Sequence, residues 1–227
     1  HTWSDHSIGV RAARRANNRP RLVRTNYGDG PLGAGLLRRL LLKGRLHAMA
    51  AYSRACLDAD RAALDIPQDM AVLIEPAFDP EQCAPAKPGR SAREELGLRP
   101  EDLVVGIVAS GRQCRLEPVI DGLARAVAAG SPVAGLVLGE TQAASEAASR
   151  LVERRGLTER VRHVVSTGED RLAHLGAADV VIVLSSEYAS LSAAVEAMAM
   201  GKPLAVPRGG AGEGFVQGGR CGWAVDA

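Results

Sequence analysis

The chain has 227 residues, of which 46% are hydrophobic but only 3% aromatic, so its core must be aliphatic and rich in alanine. So few aromatic side chains can stack on bare nucleic-acid bases that a nucleic-acid partner is not expected. The net charge of +2 is unevenly spread, because residues 1–50 hold ten Lys and Arg against two Asp, whereas residues 51–227 hold 18 against 24 Asp and Glu. The basic N-terminal part favours an anionic acceptor or an anionic membrane surface, with a solvated arginine-rich surface as the alternative.

The four cysteines and the apolar segments limit the cellular context. The cysteines are widely scattered, which indicates neither a zinc site nor a disulfide framework. No apolar run approaches the roughly 20 residues needed to span a bilayer. We therefore expect a cytoplasmic protein, with peripheral contact to the inner face of the membrane left open.

The first 84 residues predict an incomplete parallel α/β domain. We expect helices over 10–17, 34–49 and 58–64, and strands over 21–25 and 50–53.

Gly28, Gly30 and Gly33 satisfy the GxGxxG spacing of a dinucleotide-binding turn. However, the strand before them contains Arg21 and Arg24 instead of a buried apolar run, and no acidic residue stands about 20 positions later. The glycine pattern alone is therefore a weak indication of nucleotide binding.

Two segments then lead into the second domain. The segment 36–46 mixes leucines with four cations, and it predicts either a helix lying on an anionic membrane or a core helix with its charges in water. Prolines and a glycine over 85–90 predict a linker. The domains are therefore expected at 1–84 and 91–227.

Residues 91–227 alternate between apolar β-branched runs and amphipathic helices. We expect strands over 103–109, 133–138, 161–165, 180–184, 204–206 and 223–225. Helices are expected over 117–129, 143–155 and 170–175, and from Ser190 to Gly201. Such continuous apolar strands are typical of a parallel sheet covered on both faces.

The stretch 185–190 is expected at the carboxyl edge of this sheet, where α/β folds bind ligands. Ser190 is placed to cap the following helix, whose free N–H groups and positive end can hold a phosphate. Glu196 on the same helix can accept hydrogen bonds from ribose hydroxyls. Together these features predict a site for a sugar nucleotide.

The segment Glu196-Ala-Met-Ala-Met-Gly-Lys-Pro-Leu204, followed by Gly209, Gly210 and Glu213, resembles the donor-binding segment of retaining GT-B glycosyltransferases of family 4, the group 1 class. The resemblance implies an α/β, GT-B-like fold with two Rossmann-like domains of parallel sheets, the first incomplete. It implies transfer of a sugar from a nucleoside-diphosphate sugar to a glycan or lipid-linked acceptor, with retention of configuration and a role in polysaccharide biosynthesis. No cofactor or metal is expected, since no DxD-like acidic cluster occurs.

The resemblance also implies the site residues. The implied catalytic residues are His6, Arg115 and Glu187, with His1 as the alternative histidine. The implied donor-binding residues are Arg112, Arg115, Gly139, Ser190, Leu191 and Glu196. Arginines at the diphosphate would stabilise the negative charge that develops on the departing phosphate.

The sequence departs from the family pattern at the expected catalytic glutamate. Family members carry two glutamates eight positions apart, but Tyr188 stands eight before Glu196 and Glu187 stands nine before. The resemblance begins partway through the first domain and ends before the C-terminal helices of the family, so we expect a fragment.

Two other functions stay open: an NADP-linked oxidoreductase that uses Gly28, Gly30 and Gly33 with Arg54 at the 2′-phosphate, and a catalytically inactive protein that binds a nucleotide sugar.

Overall fold

The computed structural model describes residues 3–18, 20–26, 46–83, 90–110, 114–139, 141–166, 168–185, 188–210 and 212–226. The chain divides into two compact units, His1–Pro76 and Ala77–Ala227, each built on a parallel β-sheet. Residues 85–89 of the expected linker 85–90 lie outside the described ranges, and a linker at that segment stays a prediction.

The sheet of the first unit has the described strands β1 (Val23–Asn26), β2 (Ala48–Ala51) and β3 (Ala71–Leu73), paired in that order and parallel. The helices described beside it are Trp3–Arg15, Arg54–Leu64 and the short 3-10 helix Gln68–Met70. Leu46 and Met49 pack with Leu64 and Ile66, so one face of β2 is covered by the helix that follows it.

The first helix starts at Trp3, and the predicted start at Val10 is wrong. His6 and Val10 lie four residues apart on this helix and are both buried, so they share one inward face. Gly9 between them weakens the intrinsic helix propensity, but burial of that face outweighs the loss.

The strand predicted over 50–53 is also displaced. It covers Ala48–Ala51, which contradicts the predicted helix end at Met49, and the remainder of that predicted helix up to residue 45 lies outside the described residues. The Oγ of Ser53 accepts a hydrogen bond from the Cys56 N–H at 3.2 Å. Ser53 is therefore the N-cap of the Arg54–Leu64 helix, and not the end of a strand.

The second unit contains a six-stranded, fully parallel sheet. Its strands are β4 (Leu103–Ala109), β5 (Val133–Gly139), β6 (Val161–Val165), β7 (Val180–Val183), β8 (Leu204–Pro207) and β9 (Gly222–Val225). Its described helices are Pro80–Cys83, Arg90–Glu95, Glu117–Ala128, Gln142–Arg154, Gly168–Ala177 and Tyr188–Ala199, with the 3-10 helix Glu213–Gly219. The predictions of β4 and β6 are confirmed to the residue, and the other predicted strands and helices agree to within a few positions. The short helices Pro80–Cys83, Arg90–Glu95 and Glu213–Gly219 were not predicted.

Both faces of this sheet are covered, as the continuous apolar strands predict. Along β4, Val105 and Ile107 pack toward the helices Glu117–Ala128 and Gln142–Arg154. Val104 and Val108 point the other way, into a cluster with Leu175 and the alanines of the Tyr188–Ala199 helix. The alternation follows from the two-residue period of a strand, and it leaves no solvent-facing side along the middle of β4.

The strand order is β6-β5-β4-β7-β8-β9. The chain runs outward from β4 through β5 to β6, then returns to the other side of β4 to form β7. The loops after β4 and β7 therefore leave the same edge of the sheet in opposite directions, which makes this pair the topological switch point.

Candidate functional site

The carboxyl ends of β4 and β7 define the candidate site. Ser110 follows directly on β4, and Ser185 lies just after β7. The two strands are neighbours, with Val108 paired to Val183, so the two serines stand at one edge of the sheet. Gly139 ends β5 opposite Ala109, which places it at the same edge. The expected position at the carboxyl edge is confirmed for Ser185 and for the start of the following helix, whereas residues 186 and 187 lie outside the described ranges.

Three serines connect the two sides of this switch point. The Oγ atoms of Ser110 and Ser190 share a hydrogen bond, and the Ser190 hydroxyl donates to the Oγ of Ser185 at 3.2 Å. Ser190 is fully buried and Ser110 is 2% exposed. Since a hydroxyl has one proton and Ser190 gives its proton to Ser185, Ser110 must be the donor to Ser190. We call these residues the serine bridge.

The serine bridge corrects one sequence expectation. The helix begins at Tyr188, so Ser190 lies within its first turn and is not its N-cap. Its side chain turns toward the sheet, where it meets Ser110. Leu191 is also fully buried, so its side chain packs in the core and does not face a ligand.

Glu196 lies two turns further along the same helix and is 8% exposed. Arg171 donates to both carboxylate oxygens, from Nε to Oε2 at 2.9 Å and from Nη2 to Oε1 at 2.5 Å. The Ser192 hydroxyl donates to Oε1 at 3.3 Å. A carboxylate has about four acceptor positions, and the described residues fill two on Oε1 and one on Oε2, which leaves one position on Oε2 open to them. Arg171 belongs to the first turn of the Gly168–Ala177 helix, and the sequence analysis did not identify it.

The expected cations at the diphosphate are only partly described. Arg115 is exposed and stands between β4 and the Glu117–Ala128 helix, and it has no hydrogen bond or ion pair to any residue that the structure describes. Arg112 and Glu187 lie outside the described residues, as do Gly28, Gly30 and Gly33. Arg115 is therefore the described cation at this edge with its guanidinium free for an anion.

His6 belongs to the first unit, inside the Trp3–Arg15 helix and not ahead of a helix as expected. It is 6% exposed. Burial lowers its pKa below the usual value for histidine, and the positive charge of Arg24 on β1 lowers the pKa further. The imidazole is therefore held in its neutral form at neutral pH, the form that can accept a proton.

A contact between a serine and a partly buried histidine lies at the same edge of the second sheet. The Oγ of Ser166, which follows β6, is 2.9 Å from Nδ1 of His174. Burial lowers the pKa of His174, although the negative charges of Asp170 and Glu95 act against this shift. Neither residue was expected at the site, because a serine and a histidine eight positions apart carry no motif.

Comparison with solved structures identifies proteins that share this fold. No protein-family model matches the sequence, and no curated protein sequence matches it significantly. The HepE protein of Anabaena, solved in complex with UDP and glucose, is similar with a TM-score of 0.80 at 20% identity, over 99% of this chain and 62% of that one. A glycosyltransferase from Rickettsia africae gives a TM-score of 0.77 at 15% identity, over 96% and 59% of the two chains.

Sucrose-phosphate synthase from Thermosynechococcus elongatus is a further neighbour, with a TM-score of 0.74 at 22% identity over 99% of this chain and 59% of the neighbour. The chain thus spans about 60% of the length of these solved structures. At these identities the comparison establishes the fold. The protein has the α/β fold with parallel sheets predicted from its sequence, and this fold is that of GT-B glycosyltransferases.

Proposed function

We propose that this chain is part of a retaining glycosyltransferase that transfers a sugar from a nucleoside-diphosphate sugar to a glycan or lipid-linked acceptor. In this proposal the second unit binds the donor at the switch point of its sheet. The whole enzyme acts without a metal or a cofactor, in the cytoplasm. The basic residues 1–50 attract the anionic acceptor or the membrane surface that carries it.

One observation carries the proposal. The switch point of the second sheet bears a polar cluster, the serine bridge with Glu196 on the same helix, in a fold that HepE shares over 99% of this chain. HepE has been solved with UDP-glucose and with UDP. Open α/β sheets bind ligands at such switch points, and a helix N-terminus there favours a phosphate.

The residues have distinct roles in the proposed reaction. The first turn of the Tyr188–Ala199 helix binds the diphosphate, and the Glu196 carboxylate accepts a hydrogen bond from a ribose hydroxyl. Arg115, together with Arg112, stabilises the charge that grows on the departing phosphate, which lowers the barrier more than it stabilises the bound donor. His6 and Glu187 complete the proposed catalytic set at the transferred sugar.

The donor site can be tested by calorimetric titration of the 227-residue chain with UDP, ADP and GDP. Replacing Glu196 by Ala should weaken binding of the preferred nucleotide at least tenfold, the effect of losing about 1.4 kcal/mol. The control is Glu146→Ala, which removes an exposed glutamate of the Gln142–Arg154 helix that accepts a hydrogen bond from Gln142 and lies 4.0 Å from Arg150. Equal affinity of the Glu196→Ala variant and the wild type would refute the assignment of Glu196.

The other functions give different results in the same titration. Binding of NADPH in place of all three nucleotides would favour the oxidoreductase. Binding of a sugar nucleotide without transfer by the full-length protein would favour an inactive binding protein.

Three finer parts of the proposal have their own measurements. Retention is tested by NMR analysis of the anomeric configuration of the product, and metal independence by turnover in the presence of EDTA. Membrane contact is tested by sedimentation with anionic vesicles, which the leucine-rich segment 36–46 would mediate. None of the helices that the structure describes is long and apolar enough to cross a membrane.

A further inference from the structure

The contact between Arg171 and Glu196 is the most completely formed charged interaction at the candidate site. Glu196 is one of the buried polar residues, and its side chain is 10% exposed whereas that of Arg171 is 26% exposed. Both carboxylate oxygens receive an N–H group of a single guanidinium. Exposed ion pairs contribute little to stability, but an ionised group that is nearly buried depends on its partner.

The geometry of this contact fixes more than the charge of Glu196. A guanidinium that donates two hydrogen bonds lies in the plane of the carboxylate, so it sets the rotation of the carboxylate about its terminal bond. Ser192 fills a second acceptor position on Oε1. The remaining position on Oε2 consequently points in one defined direction. A lysine, which is a point donor on a flexible stem, could neutralise the charge without setting that direction.

The two helices that carry the pair connect different strands of the sheet. Arg171 is in the helix that leads from β6 back to β7, and Glu196 is in the helix that follows β7. The pair therefore joins the segment that crosses the switch point to the helix that begins at it. Cys83 lies near the pair: burial raises the pKa of its thiol, the negative charges of Glu196 and Asp79 raise this pKa further, and the positive charge of Arg171 lowers it.

We propose that Arg171 is a positioning residue for the nucleotide ribose: it holds the Glu196 carboxylate so that the open acceptor position on Oε2 receives a ribose hydroxyl. This inference rests on the proposed function, because it assumes that Glu196 contacts the ribose. The expected effect of Arg171 is to strengthen ribose binding, and not to compete with the ribose hydroxyl for the carboxylate.

The test compares ligands that differ only in the ribose hydroxyls. UDP, ADP and GDP are titrated into the 227-residue chain by calorimetry, and the nucleotide that binds is paired with its 2′,3′-dideoxy counterpart. In the wild type the hydroxyl-containing nucleotide should bind at least tenfold more tightly. In Arg171→Ala this ratio should fall to below threefold, while affinity for the dideoxy nucleotide changes less than twofold.

Two further variants separate positioning from general structure. Arg171→Lys should fold like the wild type but recover only part of the affinity ratio, because lysine restores the positive charge but not the two parallel N–H donors of the guanidinium. The control Arg155→Ala removes another arginine that donates to a carboxylate, Asp121, at 2.5 Å on the exposed side of the unit, and it should leave the ratio unchanged.

Each outcome decides the inference. A collapse of the ratio in Arg171→Ala supports it, as does a partial loss of the ratio in Arg171→Lys should the alanine variant not fold. Equal weakening of both nucleotides refutes positioning but leaves the proposed function intact. Tighter binding of the hydroxyl-containing nucleotide by Arg171→Ala shows competition and also refutes it. Failure of the wild type to bind any of the three nucleotides refutes the proposed function itself, and the inference with it.

Discussion

The serine bridge should behave as one coupled unit in unfolding experiments. Ser110 donates to Ser190, which donates to Ser185, and both Ser110 and Ser190 are almost completely buried. Replacing Ser190 by Ala leaves the Ser110 hydroxyl as a buried donor that has lost its acceptor, which costs about 1–3 kcal/mol. Replacing Ser110 by Ala leaves Ser190 bonded to Ser185, so we expect a loss of only about 1 kcal/mol.

The double variant Ser110→Ala/Ser190→Ala provides the decisive comparison. Removing both hydroxyls leaves no orphaned donor, so its loss should be smaller than the sum of the single losses by about 1 kcal/mol. Urea unfolding of the four proteins, followed by circular dichroism, gives these values provided that the slope with urea is the same for all. The control is Ser149→Ala on an exposed helix face, whose effect should simply add to that of Ser110→Ala. Additivity of the Ser110 and Ser190 losses to within about 0.3 kcal/mol would refute the bridge.

Two other predictions concern packing and pH. A Cβ at Gly106 would lie 2.9 Å from the buried Cβ of Ala178, so Gly106→Ala should destabilise the protein by about 1–3 kcal/mol. At Gly122, which lies in a helix, a new Cβ would have its nearest neighbour 4.0 Å away, so Gly122→Ala should stabilise the protein by about 0.5–1 kcal/mol. Equal melting temperatures of the two variants would contradict the close approach at Gly106. Burial lowers the pKa of His174 in the folded protein, whereas in the unfolded chain this pKa is about 6.5. The stability that neutral His174 contributes is therefore complete above about pH 6.5, and it is lost as the pH falls through the lower pKa of the folded protein. His174→Asn should therefore lose less melting temperature than the wild type between about pH 7.5 and 5.5, and an equal or larger loss would contradict this account.

The second sheet could be predicted from the sequence because its central strands β4 and β5 are apolar and almost completely buried. β4 is a short apolar run that ends before Ser110, and β6 has valines on either side of Arg162 and His163; each was predicted with its correct bounds. The first unit was predicted less well, since Ser53 was included in a strand although its hydroxyl caps a helix. A hydroxyl next to an apolar run fits both structures, and the choice depends on whether the following N–H groups turn toward it.

The position of the candidate site was also accessible from the sequence, but its internal contacts were not. In a parallel sheet every carboxyl end lies at one edge, so Ser190 and Gly139 could be assigned to that edge from the strand pattern alone. The contact between Ser110 and Ser190 additionally requires that β4 and β7 be neighbours. No spacing in the sequence states the strand order, and consecutive numbering would have separated them by β5 and β6.

The same reasoning explains why Arg171 was missed, and it connects the fold to the proposed specificity for ribose. Arg171 precedes Glu196 by 25 residues on a different helix, so neither helical nor strand periodicity relates the two. They meet because the Gly168–Ala177 helix crosses the face of the sheet from β6 to β7 and packs beside the Tyr188–Ala199 helix. That crossing is the step that creates the switch point. The strand order that forms the ligand cleft therefore also supplies the guanidinium that orients Glu196, and a rearrangement of that order would remove both together.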